Sequence, residues 1–137
     1  MATLIDLNAE LAKLKMFRGR TPTSTRAERE GSSSRLAPYR DATIFASKSA
    51  GKGAWERHPN GDELVHVVDG TATLQVATED GSRSIAVRAG MLAIVPQGVW
   101  HRLHYPDGVT LLTITPGPSE YVRKDVDDPL SVEPQRE

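Results

Sequence analysis

Between Asp41 and Pro116 the chain is never far from a turn signal. Gly51-Lys52-Gly53, Pro59 to Asp62, Asp69-Gly70, Glu79-Asp80-Gly81, Ala89-Gly90, Pro96-Gln97-Gly98 and Pro106-Asp107-Gly108 punctuate it. Pro presets φ, Gly and Asn tolerate φ > 0, and Asp bonds its own backbone, so each of these reverses or bends the chain. The segments left between them are too short for ordinary helices and rich in β-branched residues. They predict strands over residues 41–49, 53–58, 63–69, 71–77, 83–87, 91–95, 100–105 and 109–115. Strands at this spacing, without a second convincing helix, argue for an all-β sandwich or barrel. With 137 residues, of which 38% are hydrophobic, the chain can bury a real core as one domain.

The first forty residues differ in character. Leu4, Leu7, Leu11 and Leu14 recur at helical spacing, with Ile5 and Ala12 beside them, and predict a short helix over residues 3–15. Thr3 and Asp6 form a weak capping pair. The expectation is a helix lying on the outside of the domain, with a contact to a partner subunit as the alternative. From Phe17 to Ala37 the composition turns polar, and five arginines appear: Arg18, Arg20, Arg26, Arg29 and Arg35. They could grip an anionic ligand, but Glu28 and Glu30 dilute them, and a solvated loop is expected. Residues 1–40 are thus read as helix and extended arm, 41–117 as the β-barrel, and 118–137 as a C-terminal tail running loosely over the surface.

Formal net charge is −1, so no global field draws nucleic acid or an anionic membrane. No apolar run approaches the roughly 18 residues of a membrane span, and no secretory leader is evident. A soluble cytoplasmic protein is the expectation. Cysteine is absent, which removes disulfides and thiolate metal sites alike.

A metal site would therefore be built from imidazole and carboxylate, and Trp55-Glu56-Arg57-His58-Pro59-Asn60-Gly61-Asp62-Glu63 carries both. Glu56 and His58 are two apart and share one face of a strand. The turn at Pro59 to Asp62 returns Glu63 beside His58. A second corner, Pro96-Gln97-Gly98, is followed by His101. His104 and His66 lie three residues from His101 and Glu63, so their side chains face the other way. Parity leaves Glu56, His58, Glu63 and His101 as candidate metal ligands. From Glu63 the same face carries Val65 and Val67; from His101 it carries Leu103 and Tyr105. These four are the expected pocket wall. Trp55 and Trp100, next to ligands in sequence, point off that face into packing.

At these residues the chain resembles the cupin superfamily, in particular its small single-domain, type-2 members. The first cupin motif runs Gly, five residues, His-x-His, three or four residues, Glu, six residues, Gly. His58, Glu63 and Gly70 match its later part. The second runs Gly, five residues, Pro-x-Gly, two residues, His, three residues, Asn, and Gly90, Pro96, Gly98 and His101 match it. Three positions depart: Glu56 replaces the first histidine, Tyr105 the asparagine, and Ala50 the leading glycine. The resemblance implies a jelly-roll barrel, or double-stranded β-helix, with a divalent metal bound at one end. It also implies a small-molecule ligand, and a homodimer paired through sheets and terminal arms.

Glu56 bears on the chemistry. Two carboxylates would bring a divalent ion near zero net charge, and hard oxygen donors favour Mn or Fe, with Zn or Ni also possible. If Glu56 turned away to Arg57, Lys52 or solvent, His58, Glu63 and His101 would still form a two-histidine, one-carboxylate triad. The functions implied are a dioxygenase, or an isomerase or lyase acting on a small acid or enolisable carbonyl compound. A non-catalytic binding or sensing module, with a vestigial metal site, is the alternative. Metal binding is expected to weaken below about pH 6, since both histidines must be neutral to coordinate.

Overall fold

The computed structural model describes residues 1–137. Its elements are α1 (Leu7–Ala12), β1 (Phe17–Arg20), β2 (Ser33–Tyr39), β3 (Ala42–Lys52), β4 (Trp55–Arg57), β5 (Glu63–Thr78), β6 (Gly81–Arg88), β7 (Leu92–Val95), β8 (His101–Pro116) and β9 (Glu120–Val122). A 3-10 turn at Pro129–Ser131 and β10 (Gln135–Arg136) follow.

Two strands of 16 residues, β5 and β8, make the frame. They pair antiparallel from Leu64 opposite Ile114 to Val76 opposite His101. β3 extends the sheet on the far side of β8, while β7 and then β6 pair with successive halves of β5. The sheet curls on itself, and alternate residues point inwards. Val65, Val67, Ala72, Leu74, Val87, Val95, Val109 and Leu111 fill the main core, and Trp55, Trp100 and Val122 form a smaller one.

Two turn signals do not reverse the chain. Asp69-Gly70 and Pro106-Asp107-Gly108 read as turns between separate strands, yet β5 and β8 run straight through them. Between Gly70 opposite Val109 and Thr73 opposite His104, three steps on β5 face five on β8. The extra residues bulge, and the bulges lie against each other. Gly70 has φ +82°, and a Cβ there would overlap the carbonyl oxygen of Gly108. Bulges of this kind bend the strand and let one long element serve both halves of a roll.

The termini also differ from expectation. The helix is six residues long, capped by Asp6 accepting from Ala9 N–H, and none of its residues is buried. Of its leucine stripe, Leu4 and Leu7 are exposed, Leu4 at 96%, while Leu11 and Leu14 are half-buried. The polar arm carries β1 and β2, both paired to β3. Lys15 N–H donating to Gly31 C=O and Lys48 N–H to Ser32 C=O tie the intervening turns down. The C-terminal residues are likewise fixed: β10 pairs with β9, and the indole of Trp55 donates to Val126 C=O at 2.8 Å. In both segments backbone pairing to a sheet edge overrides polar composition, which periodicity does not register.

The outward face of the sheet holds an apolar rung. Ile44, Ile114, Leu64 and Ile94 stand opposite one another across β3, β8, β5 and β7, with Leu92 beside them. Ile94 and Leu92 are 52% and 58% exposed.

Gly70→Ala is expected to cost about 3 kcal/mol in urea unfolding. Gly81→Ala, also at positive φ but with no heavy atom near the added Cβ, should cost about 1 kcal/mol.

Candidate metal centre

β4, the start of β5 and the start of β8 meet at one end of the roll. Glu56 stands directly opposite His101 on the neighbouring strand. His58 follows β4 by one residue, and the turn after it brings in Glu63. Gln97 holds that turn to the second corner: its N–H donates to the Asp62 carboxylate and its side-chain amide to Pro59 C=O. Gly98 N–H donates to His58 C=O.

The ligand atoms of Glu56, His58, Glu63 and His101 all lie within 4.8 Å of one another. His101 Nε2 is 2.9 Å from Glu63 Oε1 and 3.4 Å from Glu56 Oε1. His58 Nε2 is 3.3 Å from Glu63 Oε2 and 3.6 Å from Glu56 Oε1. Glu56 thus turns inwards. Arg57 pairs with Glu120, and Lys52 with Asp125, so neither engages it. His66 and His104 lie outside the cluster.

The far nitrogen of each ring is engaged. His101 Nδ1 lies 3.0 Å from Val99 C=O, which can only accept, so Nδ1 carries a proton. His58 Nδ1 is 2.8 Å from Ser119 Oγ. Both rings therefore aim Nε2 at the carboxylates. Glu63 is steadied from behind, since Thr115 Oγ1 donates to its Oε2 at 2.6 Å. Such outer contacts orient metal-binding side chains.

Burial opposes charge at every one of these groups, but mutual attraction outweighs it. Burial would lower the His58 pKa, yet the nearby carboxylates of Glu56 and Glu63 raise it to about 9. The same opposition lifts His101 to about 10. Burial would raise both carboxyl groups, and contacts with the two imidazoles hold them below their ordinary range. In the absence of a cation, two protons balance two carboxylates.

The donor set fits a divalent ion. Donors ~2.1 Å from a common centre stand ~3.0 to 3.4 Å apart in octahedral or tetrahedral sites. The four imidazole–carboxylate separations, 2.9 to 3.6 Å, lie close to that range, and the whole set stays within 4.8 Å. His58 Nε2 is buried and makes no hydrogen bond of good geometry. A cation bound here would satisfy it and replace the two protons.

A cavity of about 780 Å³ opens onto Glu56, Glu63 and His101. Leu103 and Tyr105 are in its wall. Val65 and Val67 lie beneath it, fully buried among Val95, Leu111 and Val109, because packing across the roll closes over them. Trp55 and Trp100 pack in the smaller core, under the guanidinium groups of Arg102 and Arg57. Ser119 and Thr115 escaped the sequence analysis. Thr115 shares a face of β8 with Thr113 and Leu111, which alternation could have shown; Ser119 had no local signal.

The Cupin_2 family, described as a cupin domain, matches residues 45–115. The chain belongs to the cupin family. Comparison of this cupin with curated proteins finds no match. Among solved structures it is similar to a cupin-2 domain-containing protein from Shewanella frigidimarina, at 24% identity and a TM-score of 0.61, over 83% of this chain and 95% of the other. A protein from Neisseria meningitidis gives 23% identity and a TM-score of 0.63, over 84% and 100%. A hydroquinone 1,2-dioxygenase from Sphingomonas sp. TTNP3 gives 16% identity and a TM-score of 0.52, over 61% and 64%. These likenesses are of fold. No helix of the chain is long and apolar enough to cross a membrane.

The raised imidazole pKa values set a pH window. Their contribution to stability is complete below the ordinary histidine value of 6.5 and is lost as pH rises through about 9 to 10. The carboxylate contribution is present above 4.5 and is lost as pH falls through the lowered values. Chelator-treated protein should therefore show a Tm that declines from pH 7 to pH 10, while Glu63→Gln flattens the decline. Differential scanning calorimetry checks it.

Proposed function

We propose that this cupin binds a divalent metal ion through Glu56, His58, Glu63 and His101 and acts on a small organic substrate in the adjoining cavity. The single observation that carries it is the convergence of four donor atoms within 4.8 Å, with the remaining nitrogens of both imidazoles already engaged. Two carboxylates favour Mn or Fe(II); Zn and Ni are the alternatives for the same donors. When bound, such an ion supplies Lewis-acid polarisation of substrate oxygens and, for iron, redox chemistry with dioxygen. The reaction classes this supports are a dioxygenase, or an isomerase or lyase.

The protein's own groups have definable parts in that chemistry. Glu63, held by Thr115, keeps its carboxylate fixed. Both carboxylates line the cavity, and Glu56 is the less buried of the two, so it has more freedom to shift as substrate enters. Burial raises the pKa of Tyr105, and burial with the Glu56 charge pushes Tyr121 up to about 12. Both phenols line the cavity protonated at neutral pH and can donate to a substrate oxygen. A non-catalytic sensing role would use the same cavity without turnover.

Elemental analysis of protein purified without chelator should find about one Mn or Fe per chain. His101→Ala should lower metal affinity at least about tenfold, and Glu56→His should shift preference towards Ni or Zn. A parent protein that takes up no divalent ion at neutral pH would contradict the proposal.

The homodimer is proposed on the outward rung of Ile44, Ile114, Leu64 and Ile94, an apolar face suited to packing against a second copy of this chain. Light scattering at micromolar concentration should give the mass of a dimer, and Ile94→Lys that of a monomer with Tm little changed.

A further inference from the structure

The cavity that exposes Glu56, Glu63 and His101 is also lined by guanidinium groups, among them Arg20, Arg29, Arg35, Arg102 and Arg123. Most have partners. Arg102 bonds Gln75 and Val126, Arg35 bonds Thr43 and covers Phe45, and Arg123 pairs with Glu137. Arg20 and Arg29 differ, because each has a buried Nε with no hydrogen-bond partner.

The backbone fixes both residues. Arg20 ends β1 and lies opposite Gly51, whose φ of +132° and missing Cβ allow the Arg20 backbone to sit against it. Arg29 lies in consecutive turns, with its N–H donating to Thr25 C=O and its C=O accepting from Ser32 N–H. The acids that dilute the arm's charge in sequence are only partly available. Glu28 accepts from Thr25 N–H in a local capping box and is absent from the cavity wall. Glu30 does line the cavity and makes no ion pair, and Glu137 is taken by Arg123. Burial, and then the neighbouring charges of Arg20 and Arg123, lower the Arg29 pKa, so positive charges crowd this wall. Tyr105 lines the same cavity as Arg20, Arg29 and Glu56.

Unpaired N–H groups beside like charges in a cavity are relieved by an anion, and the planar fork of guanidinium matches a carboxylate. We infer that the cavity takes a small organic acid whose carboxylate is held by Arg20 and Arg29, while oxygen atoms further along the molecule reach the Glu56–His58–Glu63–His101 site. The assignment rests on the proposed metal function only for that second contact.

The test titrates metal-loaded and chelator-treated protein with succinate, 2-oxoglutarate and succinamide by calorimetry, alongside Arg20→Gln and Arg29→Gln. The acids should bind and succinamide should not, and affinity should fall with added salt. Each substitution should weaken acid binding about tenfold while metal content stays at the parent level. Tm without ligand should be equal or higher, since a crowded charge is removed. Acids binding no better than succinamide, or binding both variants as well as the parent, would overturn the inference. Arginine-dependent acid binding in a protein that takes up no metal would sink the metal function and leave this site standing. Metal uptake with no acid binding would do the reverse.

Discussion

Two carboxylates and two imidazoles meet in a largely buried corner, and the rest of the roll is arranged to make that meeting tolerable. Each group alone would resist ionising there, since burial works against the charged form. Together they are stable only if positive charge equal to two protons sits among them. Protons and a divalent cation supply the same charge, so exchanging one for the other leaves the electrostatic balance of the corner intact. The replacement of the first motif histidine by Glu56 is what makes this equality hold. With a third imidazole in that place, one carboxylate would face more positive charge than it could neutralise.

The precision of the corner comes from elements far apart in sequence. Glu56 is placed by pairing with His101, His58 and Glu63 by a turn locked to Gln97 and Gly98, and His101 by the end of β8. Ser119, beyond the last long strand, holds His58, and the segment bearing Ser119 is itself clamped by mutual N–H to C=O bonds with Glu137. Glu137 therefore bears on a ring of the candidate metal site. The first forty residues contribute on the other side, closing the cavity with arginines carried on β1 and on turns anchored to β3.

Much of this could be read in the sequence, and the boundary has physical reasons. The four inward donors followed from strand parity and two Pro/Gly corners, because a period of two is rigid over short spans. The all-β class followed from turn spacing. The paired bulges read as turns between strands because Asp-Gly and Pro-Asp-Gly are compatible with either; only the strand across the way decides. The strands in the arm and at the C-terminus were invisible because edge pairing uses backbone groups, which polar composition neither announces nor forbids. The roles of Arg20 and Arg29 depended on where those edge strands lie. Val65 and Val67 have the right parity, but they sit too deep in the roll to reach open space.

The packing of the two indoles has a use of its own. Trp55 and Trp100, the only tryptophans in the chain, flank Glu56 and His101 on the opposite side of their strands, each beneath an arginine. Indole fluorescence therefore originates entirely from residues adjoining Glu56 and His101 in the chain. An unpaired-electron ion such as Mn or Fe arriving there would quench that emission, whereas zinc would leave it bright, so a single cuvette can distinguish the two kinds of occupant.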